Sequence, residues 1–194
     1  MRSGAPSQAR RAVSLAGALT LGCTCLVLAS GVVSAASSPG SAVPAGCWLG
    51  KGTHAGTFAS GPVKGKVTSG TIELQLWVGK GGSAVGLLRT GGIGKGTLTV
   101  SGSKLTLTVT MKGTFDVTGS ASKLVVNGED RWTGKAVGTG QFISVPVKLV
   151  LPVKKASLKV VAVTPSRVTF RYGATAFAAK RVKTLPKPMG QLCG

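Results

Sequence analysis

Apolar and polar residues alternate one for one along much of this chain, and no stretch of residues 37–194 shows a convincing apolar repeat every 3.6 positions. Leu105, Leu107, Val109 and Met111 alternate with Thr106, Thr108 and Thr110, and Ile72, Leu74, Leu76 and Val78 with Glu73, Gln75 and Trp77. Val145, Val147, Leu149 and Leu151 surround Lys148, and shorter rows run through Leu158, Val160 and Ala162 and through Val168, Phe170 and Tyr172. Successive side chains of a strand point to opposite faces, so each row predicts one apolar and one polar face. The chain is therefore expected to be all-β.

Turn signals divide the rows: Ser69-Gly70, Gly79 to Ser83, Gly91-Gly92, Ser101-Gly102-Ser103, Gly119-Ser120, Asn127-Gly128 and Thr164-Pro165-Ser166. Asn127-Gly128 is the strongest hairpin signal, because both residues tolerate positive φ. Further short strands are expected near 53–59, 62–68, 84–89, 96–101, 113–118, 122–127 and 131–139. This spacing predicts roughly ten to twelve short strands in a single antiparallel β-barrel or β-sandwich, since sheets with one apolar face must close or stack to hide it. A membrane-spanning barrel fits less well: its aromatic girdles have no counterpart here, and charges interrupt many rows. Leu49-Gly50-Lys51-Gly52-Thr53 recurs as Ile93-Gly94-Lys95-Gly96-Thr97, with a partial copy at Val78 to Gly82. The spacing is irregular, which marks similar bends and not a solenoid repeat.

The N-terminus carries an address. Arg2, Arg10 and Arg11 precede an uncharged run from Ala12 to Ala36 that ends in Val33-Ser34-Ala35-Ala36. That is the layout of a signal peptide over residues 1–36. An uncleaved transmembrane anchor is the alternative, since the run is long enough to span a bilayer. Arg10-Arg11 leaves both the general and the twin-arginine export routes open. Residues 37–46 then read as a flexible lead-in to a basic domain over 47–194. Localisation is expected to be extracellular.

Of the 24 Lys and Arg residues, three lie in the signal, leaving 21 against the four acids Glu73, Asp116, Glu129 and Asp130, a net charge of +17. Beyond Arg131 the chain has 11 basic residues and no acid. Such an excess attracts polyanions, while lysines also keep strand faces and edges soluble and unpaired. Cys23 and Cys25 leave with the signal. Cys47 and Cys193 remain, and an exported pair in an oxidising compartment is expected to form a disulfide.

The chemistry-bearing motifs are sparse. Gly-Lys-Gly at Lys51, Lys80 and Lys95 lacks the Ser or Thr that follows the lysine of a phosphate loop, which excludes a nucleotide cofactor of that type. A looser role, with Gly amides and Lys51 or Lys95 meeting an anion, stays open. His54 is the lone histidine. One histidine and four carboxylates cannot readily supply three or four metal ligands. Glu129-Asp130 are adjacent, so in a strand they point apart, and the cluster Glu129-Asp130-Arg131-Trp132 reads as a solvated turn. The last basic cluster, Arg167, Arg171, Lys180, Arg181, Lys183 and Lys187, is the expected anion-binding region. Arg167 and Arg171 share one strand face, and Leu185-Pro186-Lys187-Pro188 is expected to run over the surface to Cys193.

The expectation is thus a secreted, non-enzymatic β-domain without catalytic residues, metal or cofactor. It would bind anionic wall polymers or a membrane surface, without specific nucleic-acid recognition. A carrier of one small apolar ligand and a structural cell-surface protein are rival classes, and a hydrolase is a third that would need Glu73, Asp116 or Asp130 gathered beside His54 in one cleft.

Overall fold

The computed structural model describes residues 41–138, 143–190 and Cys193; the export segment lies outside the described residues. The described chain is all-β, with the elements β1 (Gly46–Thr53), β2 (Gly56–Ser60), β3 (Val63–Val78), β4 (Ser83–Val100), β5 (Ser103–Ser120), β6 (Lys123–Val137), β7 (Ser144–Val163), β8 (Arg167–Tyr172) and β9 (Thr175–Val182). They form one antiparallel sheet in the order β1-β9-β8-β7-β6-β5-β4-β3-β2, and an additional β1–β3 pairing turns the sheet into a ring.

Nine strands replace the expected ten to twelve because the middle ones are long, 15 to 20 residues from β3 to β7. Three expected turns prove to be strand interior. Ser69-Gly70, Gly91-Gly92 and Asn127-Gly128 all continue their ladders. The register slips between Val67 and Ser69 and between Val126 and Gly128, so at two of these sites the glycine marks a bulge and not a reversal. Asn127 serves the bulge directly: its Oδ1 accepts the Lys155 N–H at 2.9 Å. Where turns do occur, local chemistry suffices. Ser101 (φ 46°) and Gly102 (φ 81°) form the two-residue β4–β5 turn with positive φ at both positions.

The ring has a closed half and an open half. β1 and β2 lie one after the other along β3, from Gly46↔Val78 to Thr53↔Thr71 and from Gly56↔Val67 to Ser60↔Val63. In the closed half β1 also pairs with β9, through Cys47↔Val182 to Lys51↔Ala178. In the open half β2 has β3 alone, and Ser144–Val153 of β7 has β6 alone, because β8 pairs only with Leu158–Val163. Pro146 and Pro152 account for that edge. Both sit in the stretch that β6 alone pairs, and prolines within a sheet are confined to such edges. Lys155, at φ 53°, kinks the strand before β8 joins.

Each half has its own core. Trp48, Leu74, Leu76, Leu88, Phe115, Val117, Phe170 and Phe177 fill the closed half, joined by Val43. Phe58, Leu98, Leu105, Leu107, Val109, Met111 and Trp132 fill the open half. Phe58 reaches Trp132 edge-on at 5.0 Å between ring centroids. β5 links the two, since every second residue from Leu105 to Val117 is buried and every residue between is exposed. Cys47 and Cys193 are paired at disulfide distance, with Cα atoms 5.7 Å apart. Cys47 has the outward parity of its strand, so the C-terminal tail runs over the outside of the sheet. Gln75 and Leu185, each 1% exposed, show that this part of the outer face is covered.

Candidate functional site

The outer face of the open half is built from the polar members of the alternating rows. One line across the strands reads Thr57, Lys66, Lys95, Thr108, Lys135, Pro146. The next reads Ala59, Lys64, Thr97, Thr106. Lys104, Lys112 and Lys148 add three more ammonium groups, and Thr110 and Thr133 two more hydroxyls. No carboxylate shares their rows, although Glu129 of the adjoining row lines one surface pocket with Lys112. Glu73 and Glu129 belong to a row nearer the closed half, with Arg89 and Thr114 between them. Asp116 lies one row further, and Asp130 has the inward parity of Trp132.

Within this face the β2–β3–β4 strands border a shallow, open groove of about 860 Å³, lined by Thr57, Phe58, Lys64, Lys66, Thr68, Lys95 and Thr97 among others and mostly apolar in its exposed surface. Gly65 and Gly96 form part of its floor. A Cβ at Gly65 would stand 2.5 Å from Phe58 Cζ and 2.9 Å from the Gly96 Cα, so only glycine permits this approach of strand to strand over the Phe58 ring.

The sequence-predicted basic residues do not gather in one place. Lys95 lies in the groove. Lys51 is held at 3.7 Å by Glu73 on the closed half, an exposed pair of small energetic weight. Arg167 and Lys180 oppose each other directly across β8–β9, and Arg171 opposes Lys159 of β7. Arg181 has the opposite parity and donates to the Ala45 carbonyl at 2.9 Å. Lys183 and Lys187 are exposed on the tail, where the Lys183 carbonyl accepts the Cys193 N–H. Lys64 and Lys66 were not singled out by the sequence. Their signal was present, two lysines on the polar parity of one strand, but their opposition to Lys95 depends on the β3–β4 register.

A second constellation lies at the waist between the halves. His54 occupies the break between β1 and β2, with its N–H bonded to the Gly70 carbonyl at 2.9 Å. Its Nδ1 is 3.0 Å from Thr175 Oγ1, and Thr175 Oγ1 donates to the Ala55 carbonyl at 3.2 Å. The hydroxyl thus lies between the His54 ring and the Ala55 carbonyl. The arrangement ties the strand break to the start of β9.

Asp130 departs from the solvated turn expected of it. It points inward, its Oδ2 accepts Trp132 Nε1–H at 2.9 Å, and its Oδ1 is buried without a hydrogen-bond partner. Burial raises its pKa above the ordinary carboxylate value, against lowering by the Trp132 bond and by His54. Burial likewise lowers the pKa of His54, against a raising effect from Asp130. A carboxyl whose folded pKa is raised loses stability as pH climbs from its unfolded value through the folded one. Asp130→Asn is therefore expected to raise the thermal midpoint at pH 7. The gain should shrink as pH falls through the raised folded value and vanish below about 3, where the wild-type carboxyl is protonated in both states. Thermal scans across that range test it, and a midpoint lowered at pH 7 contradicts the buried-charge account. Among the described residues no group of three or more His, Cys, Asp or Glu side chains could hold a metal ion. The chain matches no protein-family model and no curated protein.

Proposed function

We propose that this is a secreted, non-enzymatic β-domain that binds anionic polymers of the cell envelope through the outer face of its open half. The observation that carries the reading is the composition of that face: Lys64, Lys66, Lys95, Lys104, Lys112, Lys135 and Lys148 among threonines, with no carboxylate in the rows they occupy. Uncompensated like charge on one sheet face raises the folding cost and lowers it again when a polyanion is bound. In this reading the signal segment delivers the domain, the closed half acts as a barrel-like anchor, and the open half presents the face. The filled interior of the closed half weighs against a carrier that encloses an apolar ligand.

Binding of this kind rests on many weak contacts and is salt-sensitive. The purified protein is expected to be retained on immobilised polyglutamate and dextran sulfate at about 50 mM salt. It should lose on the order of 10³ in affinity by about 200 mM, as other multi-lysine contacts with linear polyanions do. Flow-through at low salt on both matrices overturns the reading.

A further inference from the structure

Lysines on a sheet commonly protect edges. That explanation does not reach Lys64, Lys66 and Lys95. They stand on β3 and β4, which have partners on both sides here, while the unpaired edges of the open half are β2 and the 144–153 part of β7. Lys66 and Lys95 are direct cross-strand partners, a placement that destabilises a sheet when nothing of opposite charge intervenes. Lys64 follows two residues from Lys66 on the same face, opposite Thr97. A local rule broken without visible compensation marks a place where function overrides stability.

The geometry points to the β2–β3–β4 groove as the anchoring site for a phosphate group of a linear phosphate polymer. The inference rests on the polyanion reading above and narrows it. Three ammonium groups border the groove together with the hydroxyls of Thr57 and Thr97, while the Thr68 hydroxyl is spent on the Ile93 carbonyl at 3.0 Å. No arginine is among the lining residues. Three ammonium groups and two hydroxyls, all with rotatable donors, can together reach the several oxygens of one tetrahedral phosphate, for which lysine serves as a point charge. The remaining lysines and threonines of the face continue the track beyond the groove.

The test uses inorganic polyphosphate as the probe and the full protein carrying Lys66→Gln and Lys95→Gln, with Lys95→Gln alone as the milder form. The double variant is expected to bind polyphosphate about tenfold more weakly or worse, with a log–log salt slope shallower by about 1.4, the loss of two phosphate contacts. Its ligand-free thermal midpoint at low salt is expected to equal or exceed that of the wild type, because the opposed charges are gone. A lower midpoint would assign the lysines a structural role and overturn the inference. Arg167→Gln with Lys180→Gln removes an equal, equally opposed charge pair from the closed half. If it weakens binding as much as the groove variant, the groove is not the anchor, although the general polyanion reading survives. Polyglutamate bound as tightly as polyphosphate overturns the phosphate class. An equal loss of the groove variant on phosphatidylglycerol vesicles replaces the linear chain by a lipid surface. Wild-type protein that binds no polyanion at low salt removes this inference and the proposed function together.

Discussion

Trp48→Ala is expected to lower the unfolding free energy by about 3–5 kcal/mol, the range for deleting a large aromatic side chain from a filled core. Trp48 is fully buried in the closed half, on the strand that completes the ring between β3 and β9. Two costs combine. The indole leaves a cavity walled by strands that cannot collapse inward without breaking their ladders. Its Nε1–H also donates to the Pro44 carbonyl at 2.9 Å, so the substitution strips that acceptor of its partner. Trp48→Phe separates the two costs, losing the hydrogen bond while keeping most of the volume. Thr108→Ala, on the exposed parity of β5, supplies the reference and should stay within about 0.5 kcal/mol. Urea titrations of the three variants give the ranking directly. A Trp48→Ala cost no larger than that of Thr108→Ala would mean that the ring interior is not packed as described.

Replacing both Cys47 and Cys193 by alanine is expected to cost about 2–5 kcal/mol. The two cysteines are 146 residues apart, and in the chain-entropy model a bridge closing a loop of that length is worth about 5 kcal/mol, reduced by any residual structure in the unfolded chain. The effect should be large here for a second reason. Cys47 lies on β1, the closing strand, and Cys193 on the tail that follows β9, its neighbour in the ring. The bridge therefore holds the seam where the first and last strands meet. Reduction of the wild type should reproduce the loss, and the variant should be insensitive to reductant. A double variant as stable as the wild type would show that the ladder between β1 and β9 closes the ring unaided.

The legible part of the fold was the alternation. β5 shows why: Leu105, Leu107, Val109 and Met111 are buried and the threonines between them exposed, as their spacing requires. Turns were legible where two residues do all the work, as at Ser101-Gly102. They were misread where glycine served closure. Gly70, Gly92 and Gly128 sit mid-strand because a sheet bent into a ring needs bulges and places of close approach, and these draw on the same residues as tight reversals. The candidate site was legible only in part. Lys95 was marked by its Gly-Lys-Gly setting, but Lys66 became its neighbour through the β3–β4 register. The sequence leaves open which of the four acids meets His54; closure of the ring brings Asp130, 76 positions away in the chain, within electrostatic reach of it.

The amino-acid order alone determined strand character, the two faces of each strand, the excess of positive charge and the presence of Cys47 and Cys193 near the ends of the β-domain. These are properties of a residue and its near neighbours, set by a two-residue period and by side-chain chemistry. The tertiary structure decided which faces meet, where the ring closes and where it stays open, and which lysines confront each other. Those outcomes depend on strand register and on pairings between residues distant in the chain, because a one-residue slip would send every side chain of a strand to the other face.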